Sequence, residues 1–260
     1  MDPATIAGIG LALGAILGSM IMDGGSIGSM LLIPPMILVF GGTIGAAVAG
    51  GLLTDAKAMP KQMIKALTAK VTSPKDNVAI IVKMAERARR EGLLALEGDV
   101  AKVEDPFLRR ALEMAVDGTD ADEMAEILGA EVDAKRSSDA AGAKIFADMG
   151  GFAPTIGIIG TVLGLVHVLG NLGDPASLGE KIASAFVATL WGVMTANVFW
   201  FPLANRLKRV SEVECEQMEM TIEGVLAIQA GANPRLIAQK LNSMLHNPEP
   251  ADADEEKDAA

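Results

Sequence analysis

The sequence predicts an all-α membrane protein with four transmembrane helices, a helical cytoplasmic domain between helices 2 and 3, and a long cytoplasmic extension of helix 4. Three observations predict it. Four apolar runs, Ala4–Met22, Leu31–Leu53, Phe152–Leu172 and Ile182–Ala204, hold no acid or base, and each is close to the roughly 20 residues that cross a bilayer core. Bases collect beside two of the runs and are scarce beside the other ends. The remaining polar stretches carry helix caps and helical periodicity, with no convincing strand pattern.

Composition sets the outer limits. Half of the 260 residues are hydrophobic and mean hydropathy is +0.36, so the chain is too apolar for disorder. Seven Phe, two Trp and no Tyr leave little for base stacking, and a net charge of -11 argues against nucleic acid. Cys215 is the one cysteine, so no intrachain disulfide forms and no structural zinc set is present. Met1-Asp2-Pro3 lacks the basic start of a cleaved signal peptide. Buried helices of a soluble domain are the competing reading of the four runs, but they would leave almost no polar helix face.

Residues 4–53 form the first two transmembrane helices. Lys57, Lys61, Lys65 and Lys70 follow run 2, and Arg206, Lys208 and Arg209 follow run 4. Loops rich in Lys and Arg stay cytoplasmic, so both termini and residues 54–151 lie inside. The chain is therefore expected as a multi-pass protein of the inner membrane. Within 54–151, Ser73-Pro74-Lys75-Asp76 starts a helix that Gly92 ends, Asp105-Pro106 starts one that Gly118 ends, and Thr119 to Asp122 cap a longer one. Spans 3 and 4 occupy 152–204. Beyond them, 205–246 continues as a helical rod, broken at Gly231-Ala232-Asn233-Pro234 and followed by a short amphipathic helix. The acidic tail, 247–260, is expected to be disordered.

The spans lack any carboxylate, lysine or arginine, the groups a self-sufficient proton carrier uses. They offer Thr43, Thr155, Thr161, His167, Asn171, Ser184, Thr189, Thr195 and Asn197. Hydroxyls and amides can line a path and give oxygen to a hard cation, but cannot relay a proton's charge alone. If ions pass, the carboxylate comes from another chain. Pro154 and Pro202 are expected at one cytoplasmic depth, as paired kinks or as helix ends. Gly10, Gly14 and Gly18, Gly41 and Gly45, and Gly157, Gly160 and Gly164 are spaced for close helix contact, within the chain or between chains. There is no phosphate-binding glycine loop and no nucleophile set, so no catalytic residues, metal or cofactor are assigned and an enzyme is not expected.

Five segments in order carry a resemblance: Arg89-Arg90-Glu91-Gly92-Leu93-Leu94-Ala95-Leu96-Glu97; Pro34 with Leu38 to Thr43; Pro154 with Gly157 to Leu165; Phe186 to Gly192 with Ala196-Asn197 and Pro202; and Gly231 to Arg235. Together they resemble the MotA/PomA family of flagellar motor stator subunits. The resemblance implies a pentamer around a dimer of MotB-type partners that supply a membrane aspartate and hold the peptidoglycan. Ion flow through that channel turns the rotor through its switch protein FliG. It carries rotor contact to Arg89, Arg90 and Glu97, conformational coupling to Pro154 and Pro202, and, from sodium-driven members, the ion path to Thr161 and Thr189. The transported ion is proton or sodium, with the two hydroxyls favouring sodium, and membrane lipid is the surrounding partner. Two positions depart from the family pattern: Pro35 replaces a frequent serine, and Leu32 a frequent aspartate near the outer mouth. The alternative, an ExbB/TolQ-like energiser of outer-membrane transport, shares the small-residue helices but typically has three spans. A membrane scaffold without motor function leaves the threonines and prolines unexplained.

Overall fold

The computed structural model describes residues 3–69, 74–170, 172, 173 and 175–245. The Ser73 cap, Asn171 and the acidic tail lie outside them. The described chain is helical, with no strand. It divides into two units, Met1–Lys70 with Ser138–Val210, and Val71–Ser137 with Ser211–Ala260.

In the first unit, α1 (Pro3–Met22) ends where Gly24 takes a φ of 77°, a left-handed turn that glycine adopts without steric cost. The run Leu31–Leu53 is not one helix. It is α2 (Ile33–Ala49), which contains a π-helical turn at Ile37–Gly41 and stops at Gly50-Gly51, followed by α3 (Leu53–Thr68). At about 25 Å, α2 is short for a 30 Å core. Among the described residues, three helices are long and apolar enough to cross a membrane, within Thr5–Met22, Ala121–Leu169 and Leu178–Gln229.

The last two are much longer than a bilayer. α7 (Ala121–Leu169) is one helix of 49 residues, so the expected boundary at 151/152 falls inside it. α8 (Pro175–Thr195) passes through a π turn, Ala196–Trp200, into α9 (Phe201–Gln229). The π turn stands directly before Pro202, where the ring removes a backbone donor and forces the preceding turn to widen. The first unit's core is Phe146, Met149, Trp200, Leu203 and Leu207, with the Phe146 and Trp200 rings 6.5 Å apart. Lys65 pairs with Asp139 at 3.2 Å.

The second unit contains α4 (Pro74–Glu91), a 3₁₀ turn at Leu93–Leu96, α5 (Glu97–Val100), α6 (Pro106–Val116), the first part of α7, most of α9, and α10 (Pro234–Ser243). Sequence punctuation works here as chemistry demands. The Asp105 carboxylate accepts from the Phe107 and Leu108 amides at 2.8 and 3.1 Å, and Asn233 accepts from Arg235. Gly92, Gly118 and Gly231 all have positive φ where helices stop. Ile81, Leu96, Leu108, Leu112, Met124, Leu128, Val225, Ile237 and Leu241 form its core. α4 and α10 both pack closely on α9 because residue 224 is glycine: a Cβ there would lie 2.7 Å from Ile81 of α4 and 3.3 Å from Leu241 of α10.

Candidate functional site

Two groups of candidate residues occupy the two units. The first lies where α7 and α8 run antiparallel. Glycine permits the approach: a Cβ at Gly157 would sit 2.8 Å from the Ala188 carbonyl oxygen, at Gly160 2.6 Å from the Ala188 Cβ, and at Gly164 2.5 Å from the Ala185 Cβ. Gly192 returns the contact against the Ala153 carbonyl. In lipid such backbone proximity replaces the hydrophobic effect as the source of helix association. The glycine triplet of span 3 is thus spent within the chain. Gly10, Gly14, Gly18, Gly41 and Gly45 meet nothing within 4 Å.

This seam brings Thr161 and Thr189 together, with their hydroxyl oxygens 2.5 Å apart. Thr161 also reaches the Ala185 carbonyl at 3.0 Å and its own-helix Gly157 carbonyl at 3.3 Å, and Thr189 reaches Gly157 at 3.2 Å. Each hydroxyl owns one proton. At 2.5 Å one must donate to the other, so only one proton remains for two carbonyls. The result is four converging oxygens with more lone pairs than protons, an arrangement that suits a hard cation. The carbonyls of Gly157 and Ala185 were not among the residues singled out from sequence. Their signal is positional, since each lies four residues before one of the threonines.

Pro154 lies inside α7 and Pro202 at the start of α9. They are not at one depth. The seam sets Ala153 against Gly192 and Gly150 against Phe201, which leaves the prolines on the order of 10 Å apart along the helices. The register of the glycine contacts, not the lengths of the apolar runs, decides their levels. Nearby, the Trp191 indole N–H donates to the Met30 carbonyl at 2.7 Å, tying α8 to the chain just before α2. His167 is exposed beside Lys181 in a separate cavity.

The second group lies where α4 ends. Arg89, Arg90 and Glu97 are exposed and form no ion pair among the described residues, and Leu94 between them is 74% exposed. Buried Leu96 and Val100 anchor the segment from below. Arg87, one turn earlier, is committed internally. It pairs with Asp99 and with Glu91 (3.1 Å), while Lys102 reaches Asp99 at 3.1 Å. Hydrogen bonds from Lys102 and Arg87 hold the Asp99 carboxyl below its ordinary range. Arg90 borders a groove of about 960 Å³ over Ile80, Met84 and Val103. The clamp at Asp99 fixes the backbone that presents Arg89, Arg90 and Glu97, and sequence spacing alone does not separate Arg87 from its neighbours.

Long apolar helices, a charge-free seam with an oxygen cluster and a charged helical unit define a membrane protein of the ion-channel-subunit class. Comparison with known proteins agrees: residues 99–220 match the MotA/TolQ/ExbB proton channel family and residues 6–92 the N-terminal region of motility protein A. The chain is 38% identical to Bacillus subtilis motility protein A, over 93% of this chain and 90% of that one, and 33% identical to Vibrio alginolyticus chemotaxis protein PomA, over 95% and 96%. Its structure is similar to that of the flagellar MotAB stator complex from Bacillus subtilis (TM-score 0.87, 38% identity, 98% and 99% of the two chains). It is also similar to that of C. jejuni MotAB (TM-score 0.92, 28% identity, 96% and 98%). The chain belongs to the motility protein A family, the MotA family.

Proposed function

We propose that this chain is a stator subunit of the flagellar motor which, with a MotB-type partner, forms an ion channel coupling ion flow to torque on the rotor. The observation that carries the mechanism is the α7–α8 seam: oxygen ligands are present, and no carboxylate accompanies them in the apolar helices. A cation held there needs a negative charge from a second chain, the place a MotB-type aspartate fills. Thr161 and Thr189, with the Gly157 and Ala185 carbonyls, replace part of the ion's hydration shell. The surplus of lone pairs favours sodium over proton.

Pro154 and Pro202 interrupt backbone hydrogen bonding on the two helices toward the same end of the seam, beyond this cluster, and supply the points where occupancy bends the helices. Both termini and the charged unit lie in the cytoplasm, where Arg89, Arg90 and Glu97 meet the switch protein FliG. Exposed, unpaired charges suit a transient contact of this kind, because they are not committed to internal pairs. The uncovered face of α1, whose apolar window has no buried residue, and its open glycines support a ring of subunits, taken as a pentamer. The relatives named above are motility proteins, which favours this reading over an outer-membrane energiser.

The test is the swimming speed of cells that rely on this subunit, with sodium replaced by potassium at constant pH. Speed should collapse without sodium. Unchanged speed that instead falls with a proton uncoupler refutes the sodium assignment, and normal swimming after deletion of the gene refutes the stator.

A further inference from the structure

Beside the α7–α8 seam, α2 borders a cavity of about 310 Å³ on the same two helices, and Thr161 and Thr189 are not among the residues that line it. Gly160 and Gly164, which bring the two helices together, are among them.

Its lining is graded. Lys181, His167 and Ser184 stand at the end formed by the start of α8 and the end of α7, and Pro35, Leu38 and Leu163 line the rest. Lys181 makes no ion pair among the described residues. The Ser184 hydroxyl adds a neutral donor. A base at the end of an apolar helix seeks the interface, where lipid phosphates lie. A free inorganic anion would leave the apolar part unused.

We propose that this cavity binds an anionic phospholipid, with the phosphodiester on Lys181 and Ser184 and an acyl chain along Pro35, Leu38 and Leu163. The proposal rests on these helices crossing a bilayer. The bound lipid fills the space between α2 and the seam.

The purified full-length chain in detergent is titrated with phosphatidylglycerol or phosphatidylcholine of the same acyl chains, and bound lipid is counted by native mass spectrometry. One base facing a phosphate surface gives phosphatidylglycerol a preference of about fivefold. Lys181→Gln brings the two lipids to parity, Leu163→Trp weakens both, and excess inorganic phosphate displaces neither. An undiminished preference in Lys181→Gln, undisturbed binding in Leu163→Trp, or displacement by phosphate alone overturns the lipid site. A chain released from membranes by alkaline carbonate instead overturns the membrane placement on which the site depends, so the two failures are distinguishable.

Discussion

Replacing Gly164 by alanine tests the seam with a single methyl group. The added Cβ would stand 2.5 Å from the Ala185 Cβ and 3.0 Å from its Cα, whereas ordinary contact begins at 3.4 Å. Neither neighbour is a flexible chain end, so the helices must part by about 0.9 Å. That displacement carries the Thr161–Ala185 bond from 3.0 Å beyond hydrogen-bond range and stretches the Thr161–Thr189 bond from 2.5 Å to its edge. Overpacking costs about 1–3 kcal/mol, and the lost bonds about 0.5 kcal/mol each in lipid. At about 2–4 °C per kcal/mol for a chain of this size, Tm in detergent should fall by roughly 5–15 °C, and swimming should fail. Gly151→Ala is the control: it lies on the same helix with nothing within 4 Å, and alanine there should be neutral or stabilising by about 1 kcal/mol. A Gly164→Ala subunit as stable and as motile as the unsubstituted protein refutes the argument that the seam's closeness assembles the oxygen cluster.

Thr189→Val should keep the subunit folded, with a loss of about 1 kcal/mol, while swimming in sodium buffer falls steeply; full speed in that variant removes the hydroxyl from the ion path. Arg90→Glu should abolish motility without moving Tm, because its exposed guanidinium holds no internal pair among the described residues, and a drop of several degrees would instead make it structural. Asp99 titrates below its reference of 3.8, so the native state favours its charged form. Its contribution is present above about pH 4 and is lost as pH falls through the lower folded value; unfolding followed by circular dichroism in acid should show this, and Asp99→Asn should flatten it. Asp105→Ala removes the α6 cap and should cost about 1 kcal/mol in thermal unfolding, with motility intact at permissive temperature.

Much of the architecture was legible because its causes are local. Asp105, Asn233 and the four positive-φ glycines act within a few residues of where they stand, so sequence places those helix ends. The convergence of Thr161 and Thr189 was legible only through the family resemblance, since no local rule brings residues 28 positions apart to 2.5 Å. The shared depth expected of Pro154 and Pro202 failed because depth depends on how two helices register, and Gly150, Gly157 and Gly192 set that register by contacts no periodicity reports. Run length also misled at Leu31–Leu53, where Gly50-Gly51 ends the helix although hydropathy continues. The Arg87–Asp99 clamp went unseen because a charged surface helix offers many plausible pairs and only the fold selects one.

The wide turn at Ala196–Trp200 fixes an angular offset for everything after it. One surplus residue is accommodated there, so the face of α9 is rotated by about 100° from the face an uninterrupted α-helix would present. Leu203, Ala204 and Leu207 lie in the first unit's core with that offset in place. Removing a single residue from this turn would restore regular pitch and yet swing those side chains away from Phe146 and Met149. The chain count at this point is therefore as constrained as any side chain in the core, and length variation among relatives should avoid it.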